Sequence, residues 1–534
     1  ATSRRSPHSG AGLMITGAVA AGSPLAARAG ADALAAGGTA TDAVIAGTLM
    51  SAVAESVLTG PGAGGFLLVR PPGGPATLLD FFVSVPGTGP GGRVLDPHDL
   101  HAFTVPFGTV EQVFHIGAAS CAVPGMLAGL DLASRRFGRI PLADLAAPAV
   151  RQAREGVMIG EQAAYLHEIL AEMLMHTPSS AAIYGQHGGR PTPPGGTIWM
   201  PDLAESLERF GREGAACLYD GMLGEELIRY LEVQGGLITR DDLRAYGVIE
   251  RTPLEVSFRG VTVLTNPPPS SGGTLISAAL HHLGQNPPPV DDDGFYLGLA
   301  RAEAAANSMR GPEFNASLSD DDFLDRFWAA LSGHEPSGLP PSRKPTGTTH
   351  VSAIDAEGGM ASLSSSNGSG SGVVVPGTGI MLNNMLGESD LNPGGFGTLP
   401  AGVRMTSMMA PTLIIDGDRP VASLGSAGSN RLRSAILAVV ADLVDGDARP
   451  RDAVARPRIH HEGGGLDVEG GVPDNAVQAL RADGFDLRLW TEANLFFGGV
   501  SAVGSGKRGL EAAGDPRRGG GAFGVDEHGE VIEL

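Results

Sequence analysis

The most informative stretch of the chain reads Lys-Pro-Thr-Gly-Thr-Thr-His-Val-Ser-Ala-Ile-Asp at residues 344–355 and Met-Ala-Ser-Leu-Ser-Ser-Ser-Asn at residues 360–367. Residues 349–354 alternate in the manner of a buried strand, and residues 360–364 can return beside them after a five-residue turn. Pro345 and Gly347 punctuate the chain just before this strand. A Gly347–Thr348 bond directly before a central strand is a natural place for a chain to be cut.

Composition excludes several functional classes. The chain has 534 residues, 42% hydrophobic, and a net charge of −21. Such an acidic balance argues against a nucleic-acid surface or a basic membrane-surface helix, and no apolar run is long enough to predict a membrane span. The sequence shows no leader, so a cytoplasmic location is favoured, with a periplasmic or secreted one open if a leader was removed.

Cysteine and histidine usage predicts neither a metal site nor a cofactor. Cys121 and Cys217 lie far apart without a neighbouring metal-binding pattern, which favours two buried free thiols, although one disulfide stays open. The His pairs at 281–282 and 460–461 have no carboxylate partner at metal spacing and are expected to be structural. His350 is likewise expected to be structural.

The order of patterns along the chain predicts a layered fold. Helices are expected from Ser23-Pro24 to Gly37 and after Thr39 or Thr41, followed by strands at 66–69 and 77–82. Residues 120–235 are mostly helical in pattern, and most later strands are joined as hairpins. We therefore expect an α/β (α+β) sandwich of sheets covered by helices on both sides. Residues 333–347 read as an exposed linker and 387–403 as a mobile lid.

Thr348 is the candidate nucleophile. A threonine hydroxyl needs a base, and cutting the Gly347–Thr348 bond would supply one, because a free α-amine has a pKa of about 8. The β-branched side chain has few rotamers, and Gly347 leaves room for attack on its own carbonyl. Taken alone, these residues favour an ordinary buried strand threonine.

Residues 348–355 resemble the start of the small subunit of the gamma-glutamyltransferase family, whose members are N-terminal-nucleophile hydrolases that cut themselves before this threonine. The resemblance covers nearly the whole chain, through further motifs in the same order at residues 33–43, 267–273, 376–384 and 407–412. It implies a four-layer αββα fold and a cut into one interlocked unit of a mostly helical large subunit, 1–347, and a catalytic small subunit, 348–534. The two subunits would form a heterodimer, with a dimer of heterodimers open.

The resemblance also implies roles in the reaction. Thr348 would be nucleophile and, through its amine, base. Ser365, in a Ser-x-Asn pattern ending at Asn367, would replace a second threonine that binds this amine. The segment is about one residue shorter than usual, so Ser364 or Ser366 remains an alternative. The backbone amides of Gly428 and Ser429 would bind the oxyanion, provided that residue 429 does not need a positive φ.

Departures from the family pattern fall on the substrate side. Phe82 stands where an arginine binds the α-carboxylate of the glutamyl group, and Phe cannot supply a charged fork of donors. Met385 and Met408 also replace polar residues. The remaining candidates for substrate binding are Asn367, Asn384, Glu388 in place of an aspartate, Thr406 as a substitute hydroxyl, and Ser407.

These observations together predict an autoprocessing threonine hydrolase or acyltransferase that needs no cofactor. It would cleave an amide, or a C–C bond beside a carbonyl, in a small molecule other than glutathione, with natural-product or antibiotic biosynthesis as the candidate context. One alternative is a cephalosporin-acylase-like amidase. Another is a true glutathione hydrolase in which Arg70 or Arg404 supplies the missing cation. The alternative of another class is an uncleaved homologue that only binds a small molecule.

Overall fold

The computed structural model describes residues 14–107, 110–186, 189–287, 291–310, 314–331, 347–446, 448–506 and 509–534. The expected linker lies outside these ranges apart from Gly347. The α-helices are α1 Pro24–Ala35, α2 Ala40–Ala54, α3 Met126–Phe137, α4 Leu142–Glu155, α5 Glu161–Ile169, α6 Ala171–Leu174, α7 Pro178–Tyr184, α8 Pro201–Glu213, α9 Ala216–Tyr219, α10 Met222–Gln234, α11 Arg240–Ala245, α12 Ser271–Gln285, α13 Asp292–Ser308, α14 Phe314–Ser317, α15 Phe323–Leu331, α16 Leu432–Val444, α17 Pro450–Ala455 and α18 Asp474–Ala482.

The strands are β1 Ile15–Ala21, β2 Gly64–Arg70, β3 Thr77–Phe81, β4 His101–Phe107, β5 Val110–Ile116, β6 Val157–Met158, β7 Gly185–Gln186, β8 Arg190–Pro191, β9 Thr197–Ile198, β10 Ile249–Arg251, β11 Leu254–Phe258, β12 Val261–Thr265, β13 Gly347–Ile354, β14 Met360–Gly368, β15 Val374–Val375, β16 Ile380–Met381, β17 Thr412–Asp416, β18 Arg419–Ala427, β19 Ile459–Glu462, β20 Gly465–Val468, β21 Asp486–Leu489, β22 Gly499–Gly506, β23 Gly509–Gly514, β24 Gly521–Asp526 and β25 Val531–Glu533.

Two large sheets form the centre of the molecule. The first runs β10–β3–β2–β14–β13–β1–β24–β25 and the second β23–β22–β18–β17–β12–β11, and a single residue pair, Ile15 with Gly509, joins their edges. The sheets also meet face to face, since Ser352 Oγ donates to the Ser501 carbonyl and Ser362 Oγ to the Leu424 carbonyl. Hydroxyl groups thus satisfy carbonyls between the layers, where an unpaired polar group would be costly.

Alternation along the strands assigns each side chain to one of two cores. In β2, Leu67 and Val69 pack with α1, α2 and α4 on one side of the first sheet. Phe66 and Leu68 point the other way, into the core between the sheets, which continues to α12, α13 and α16. The result is the four-layer αββα sandwich that the sequence predicts.

Local sequence signals place the first two helices as expected. Ser23 precedes Pro24 at the first turn of α1. Thr39 caps α2 in a reciprocal capping box. Thr39 Oγ1 accepts a hydrogen bond from the Asp42 amide, and Asp42 Oδ2 accepts one from the Thr39 amide.

Both cysteines are buried and free, as the sequence favoured, and burial raises the pKa of each thiol to about 12.

Within the described ranges, no helix is both long and apolar enough to cross a membrane. The loop at 387–403 is held at its start, because Asn392 Nδ2 donates to the carbonyls of Met385, Leu386 and Glu388. Its mobility stays a prediction.

Candidate functional site

Thr348 is the second residue of β13, one of the two central strands of the first sheet. Both β13 and its partner β14 are buried along their whole length. Thr348 itself is 3% exposed. The strand is fixed on both sides, by β1 and by β14, so the candidate nucleophile lies on rigid backbone.

One side of Thr348 faces a cavity of about 430 Å³, here called cavity one. Its wall combines hydroxyl, carboxylate and apolar side chains from several elements. The lining residues are Phe82, Thr348, Ser366, Gly368, Met385, Glu388, Asp390, Leu391, Ser407, Met408, Met409, Ser429, Asn430 and Leu432. The sequence-predicted residues Thr348, Phe82, Glu388, Ser407 and Ser429 are therefore brought together, whereas Ser365, Asn367, Asn384 and Thr406 are not part of this wall.

Ser366, and not Ser365, is the hydroxyl beside Thr348. Thr349 pairs with Ser365 and Gly347 with Gly368, so the pairing is irregular between these two pairs and Thr348 lies opposite residues 366–367. Ser366 Oγ donates to the carbonyl oxygen of Gly347 and accepts from the amide of Gly368 at 2.9 Å. Ser365 points to the other face of the sheet, where its Oγ lies 2.8 Å from Thr59 Oγ1.

The Ser-x-Asn pattern selects Ser365, whereas the structure places the Ser366 hydroxyl next to the Gly347–Thr348 bond and the Ser365 hydroxyl next to Thr59. The turn at residues 355–359 pairs Ile354 with Met360 and sets a regular register as far as Thr349 and Ser365. Beyond that pair the register shifts, so counting along the hairpin does not by itself decide which serine adjoins Thr348.

Gly428 and Ser429 form the corner between β18 and a short 3₁₀ helix that leads into α16. Gly428 has φ 126°, and Ser429 has φ 56°, in the left-handed region that favours glycine. The condition stated for residue 429, that it should not need a positive φ, is therefore not met, because the serine adopts this conformation. Backbone strain of this kind concentrates at functional sites, and amides at a helix N-terminus suit a developing negative charge.

Phe82 lies in the wall of cavity one, stacked on Phe66 with ring centroids 5.4 Å apart. The preceding Asp80 is buried and engaged: its Oδ1 accepts from the Phe82 amide and its Oδ2 from Arg251. Phe82 is therefore fixed from both sides, and it presents an aromatic surface to the cavity where a fork of donors would bind an anion.

Neither alternative arginine lines cavity one. Arg404 donates to the carbonyl of Phe82 and to Tyr246, and its guanidinium lies over the Tyr246 ring. Arg70 pairs with Asp418 at the end of β2. Both guanidinium groups are used in structural contacts away from the described wall of cavity one, which argues against their binding a substrate carboxylate there.

Glu388 is held in place by the residues around it. Its Oε1 accepts from Asn384 Nδ2 at 2.9 Å and from Ser369 Oγ at 2.9 Å. Asn384 thus positions Glu388 and does not itself reach cavity one. The side chain of Asn367 is fully buried, and neither of its polar atoms has a hydrogen-bond partner among the described residues.

The segment at 406–409 contributes one polar residue, Ser407, and two apolar residues, Met408 and Met409, to the wall of cavity one. The carbonyl of Ser407 accepts from Ser270 Oγ, and Ser407 Oγ itself accepts from the Met409 amide. Met408 adds an apolar surface. Thr406 Oγ1 donates to the Pro269 carbonyl at 2.7 Å, so this hydroxyl is committed outside the cavity and does not replace the one lost at Met408.

The residues behind Thr348 are polar and buried. Thr349 Oγ1 lies 3.0 Å from both oxygens of Glu55, and burial raises the pKa of that carboxyl. His350 hydrogen-bonds to Ser364 and Ser352, and burial lowers its pKa to about 3, so the ring is neutral near pH 7. This arrangement supports a structural role for His350. Glu55 was not singled out from the sequence.

The electrostatics of cavity one are mainly anionic. Glu388 and Asp390 line it, and no lysine or arginine does so among the residues described. Arg431 lies behind the wall, where burial lowers its pKa to about 10 and Asp390 acts in the opposite direction. Within the described ranges, no cluster of His, Cys, Asp and Glu has the geometry to hold a metal ion.

A buried threonine, a neighbouring hydroxyl and a helix-start corner lie together within a sandwich of two sheets, which is the fold of the N-terminal-nucleophile hydrolases. Residues 26–525 match the family model "Gamma-glutamyltranspeptidase". The chain belongs to this family, and it is accordingly an enzyme of the hydrolase and acyltransferase type.

Relatives within the family include both acylases and glutathione hydrolases. The chain is 31% identical to the acylase ACY 1 proenzyme of Pseudomonas sp. (strain V22), over 94% of this chain and 91% of that protein. It is 29% identical to the glutathione hydrolase proenzyme of Escherichia coli (strain K12), over 94% and 90%. The fold matches the crystal structure of cephalosporin acylase from Bacillus halodurans with a TM-score of 0.78 at 24% identity, covering 98% of both chains.

Proposed function

We propose that this enzyme activates itself by cutting the Gly347–Thr348 bond and then uses Thr348 to cleave acyl bonds. The observation that carries the proposal is the geometry at that bond. Ser366 Oγ donates to the Gly347 carbonyl oxygen, while Thr348, Ser366 and Ser429 share cavity one. A hydrogen bond to a carbonyl oxygen stabilises the negative charge that develops there during attack.

The self-cleavage step follows from ordinary acyl chemistry. Thr348 Oγ attacks the Gly347 carbonyl carbon, the C–N bond breaks, and the nitrogen takes up the proton that the hydroxyl releases. Water then hydrolyses the resulting ester, which leaves a carboxylate on Gly347 and an α-amine on Thr348. This amine serves as the base in later turnovers, because its ordinary pKa lies near neutrality.

The cut would give chains 1–347 and 348–534 that remain interlocked. Strands β13 and β14, from the second chain, lie between β1 and β2, from the first. The backbone hydrogen bonds of these four strands hold the two products together after the covalent link is lost. Names such as "proenzyme" among the relatives support this two-chain maturation.

Turnover would proceed through an acyl ester on Thr348. The Thr348 hydroxyl attacks the substrate carbonyl while the α-amine accepts its proton, and the amides of Gly428 and Ser429 stabilise the oxyanion. The leaving group departs with that proton, and water or an acceptor amine releases the acyl group. Ser366 would position the amine, in the role that the Ser-x-Asn pattern assigns to Ser365.

The wall of cavity one supports a substrate other than glutathione. A glutamyl group presents a carboxylate, and Phe82, Met385 and Met408 offer it no charged donor. Glu388 and Asp390 instead favour an acyl group that carries an amine. We therefore assign the substrate as a small amide, or a ketone cleaved at a C–C bond, whose acyl part is apolar or amine-bearing.

Denaturing electrophoresis of purified protein and of two variants tests the proposal. Wild type should give two bands in place of one near 54 kDa, and the smaller fragment should begin at Thr348. Thr348→Ala should stay uncut and inactive, while the matched control Thr349→Ala should still be cut. A Thr348→Ala chain that splits at residue 347 would refute the proposal.

Substrate preference is measured separately on the processed enzyme. A panel of acyl anilides that differ only in bearing a carboxylate, an amine or neither should be hydrolysed least when the carboxylate is present. Efficient turnover of the γ-glutamyl anilide would instead favour a glutathione hydrolase.

A further inference from the structure

A second and larger cavity lies on the other side of the Gly347–Thr348 bond. This cavity two has a volume of about 1750 Å³ and is lined by Gly347 and Ser369, whereas Thr348 and Gly368 line cavity one. Its wall is mostly apolar. The residues that supply this surface include Leu25, Val57, Leu58, Phe114, Leu166 and Leu170.

Two arginines lie at one end of cavity two, and their surroundings differ. Arg517 is neutralised, since it pairs with Glu469 and with Asp515. Arg518 has no carboxylate within salt-bridge distance among the described residues. Its Nη2 makes one long contact, 3.4 Å, to the Leu495 carbonyl, and its buried Nε has no hydrogen-bond partner there.

An unpaired guanidinium beside an apolar wall is energetically unfavourable unless an anion binds it. Burial lowers the pKa of Arg518, and the charges of Asp515 and, to a smaller extent, Glu55 act in the opposite direction without forming a salt bridge with it. Glu55 also lines cavity two, and burial raises the pKa of its carboxyl. The local charge thus leaves Arg518 available to a ligand.

Arg518 also connects cavity two with the nucleophile. A narrow space of about 240 Å³ is lined by Arg518, Glu55 and Thr348 together. On the same side, a Cβ atom placed on Gly428 would lie 3.6 Å from Arg518 Nη2. The guanidinium therefore lies next to the strand that bears Thr348 and next to the corner proposed to hold the oxyanion.

We propose that cavity two binds an organic carboxylate with an apolar body, and that Arg518 binds the carboxylate. The apolar body lies along Leu58, Leu166 and Leu170. The assignment of this ligand as part of the substrate or as the product acid rests on the proposed function, while the binding site does not. The product acid, or an acid group on the leaving part of the substrate, would thus be bound from behind Thr348, while the acyl part of the substrate contacts the wall at Phe82.

Calorimetry with octanoate and octan-1-ol tests the site, because the two probes share an apolar chain and differ in charge. Purified wild type should bind octanoate more tightly than the alcohol. Arg518→Gln should weaken octanoate binding roughly 10- to 100-fold, as expected for loss of a charge-assisted hydrogen bond, and leave the alcohol unchanged. Arg451→Gln, at an exposed arginine, is the matched control.

A second variant keeps the test decisive if Arg518→Gln does not fold. Ala163→Phe narrows the apolar part of cavity two and should weaken both probes. Equal affinity for octanoate and octan-1-ol, no difference between Arg518→Gln and Arg451→Gln, or no saturable binding of either probe would overturn the inference.

The two proposals fail in different ways. A chain that binds octanoate through Arg518 but never cuts itself would refute the proposed function and leave the site intact. A chain that cuts itself and hydrolyses anilides, but binds octanoate equally well with and without Arg518, would support the proposed function and refute the binding site.

Discussion

The hairpin β13–β14 and the opposite wall of cavity one differ in how they treat a polar substrate. The hairpin presents hydroxyl groups on rigid, buried strands, with Ser366 already bonded to the Gly347 carbonyl. The opposite wall presents Phe82, Met385 and Met408. The contrast teaches that the groups proposed to react and the groups that select a substrate are on separate elements, so one set can change while the other is kept.

The largest expected effect comes from removing the hydroxyl on the reacting side. Ser366→Ala removes the donor to the Gly347 carbonyl, and the loss of one oxyanion donor typically costs roughly 100- to 1000-fold in rate. Self-cleavage of the purified precursor, followed by gel densitometry, should slow by that order.

Ser365→Ala is the matched control, because this serine bonds to Thr59 on the other face of the sheet. It should process within a few-fold of wild type. If Ser365→Ala slowed self-cleavage more than Ser366→Ala, Ser365 would be the serine that assists the reaction.

The second largest effect is expected from a change in the wall of cavity one that is proposed to select the substrate. Phe82→Arg introduces a guanidinium into the wall of cavity one, and we expect hydrolysis of a γ-glutamyl anilide to rise roughly tenfold, in line with one charge-assisted bond. Phe82→Leu, which keeps the wall apolar, should give no such gain. Self-cleavage should proceed in both variants; an arginine variant that processes but gains nothing would show that Phe82 is not the selecting position.

A third effect concerns the polar layer behind the hairpin and appears as a dependence on pH. Burial lowers the pKa of His350 from 6.5 to about 3. Between these values the unfolded chain binds the proton and the folded chain does not, so stability is complete above pH 6.5 and falls as the pH drops toward 3. The shift corresponds to about 3–5 kcal/mol at most.

Urea unfolding at pH 7, 6 and 5 measures this dependence. His350→Asn should be less stable at pH 7, because Ser364 and Ser352 lose a partner, but its stability should vary less with pH. His98→Asn, at an exposed histidine, should retain the wild-type slope. An unchanged slope in His350→Asn would assign the acid sensitivity elsewhere.

The smallest effect is expected at the strained corner. Ser429→Gly removes the side chain from a φ of 56°, which relieves about 1 kcal/mol of strain and is partly offset by the freedom of glycine in the unfolded chain. Thermal unfolding should shift upward slightly with turnover retained, since the amide remains. Ser429→Val should lose stability instead, because a β-branched residue fits this conformation poorly.

The sequence predicted the layered fold well, because strand alternation and helix caps are local signals. Thr39 and Pro24 are examples that the structure confirms. The clustering of Thr348, Glu388, Ser407 and Ser429 followed from motif order. The choice between Ser365 and Ser366 did not, since it depends on hairpin register. The absence of a carboxylate partner for Arg518 among the described residues could not be predicted from the sequence either, because it depends on how the chain packs.

The position of the Gly347–Thr348 bond has a consequence for the order of events in the life of each molecule. In the uncut chain this segment of β13 separates the two cavities, with Gly347 facing one and Thr348 the other. Cutting there would remove a partition at the same moment that it creates the amine. The joined cavity and the catalytic base would then form in the same step. Because a hydrolysed peptide bond does not re-form, each molecule would be activated only once and irreversibly.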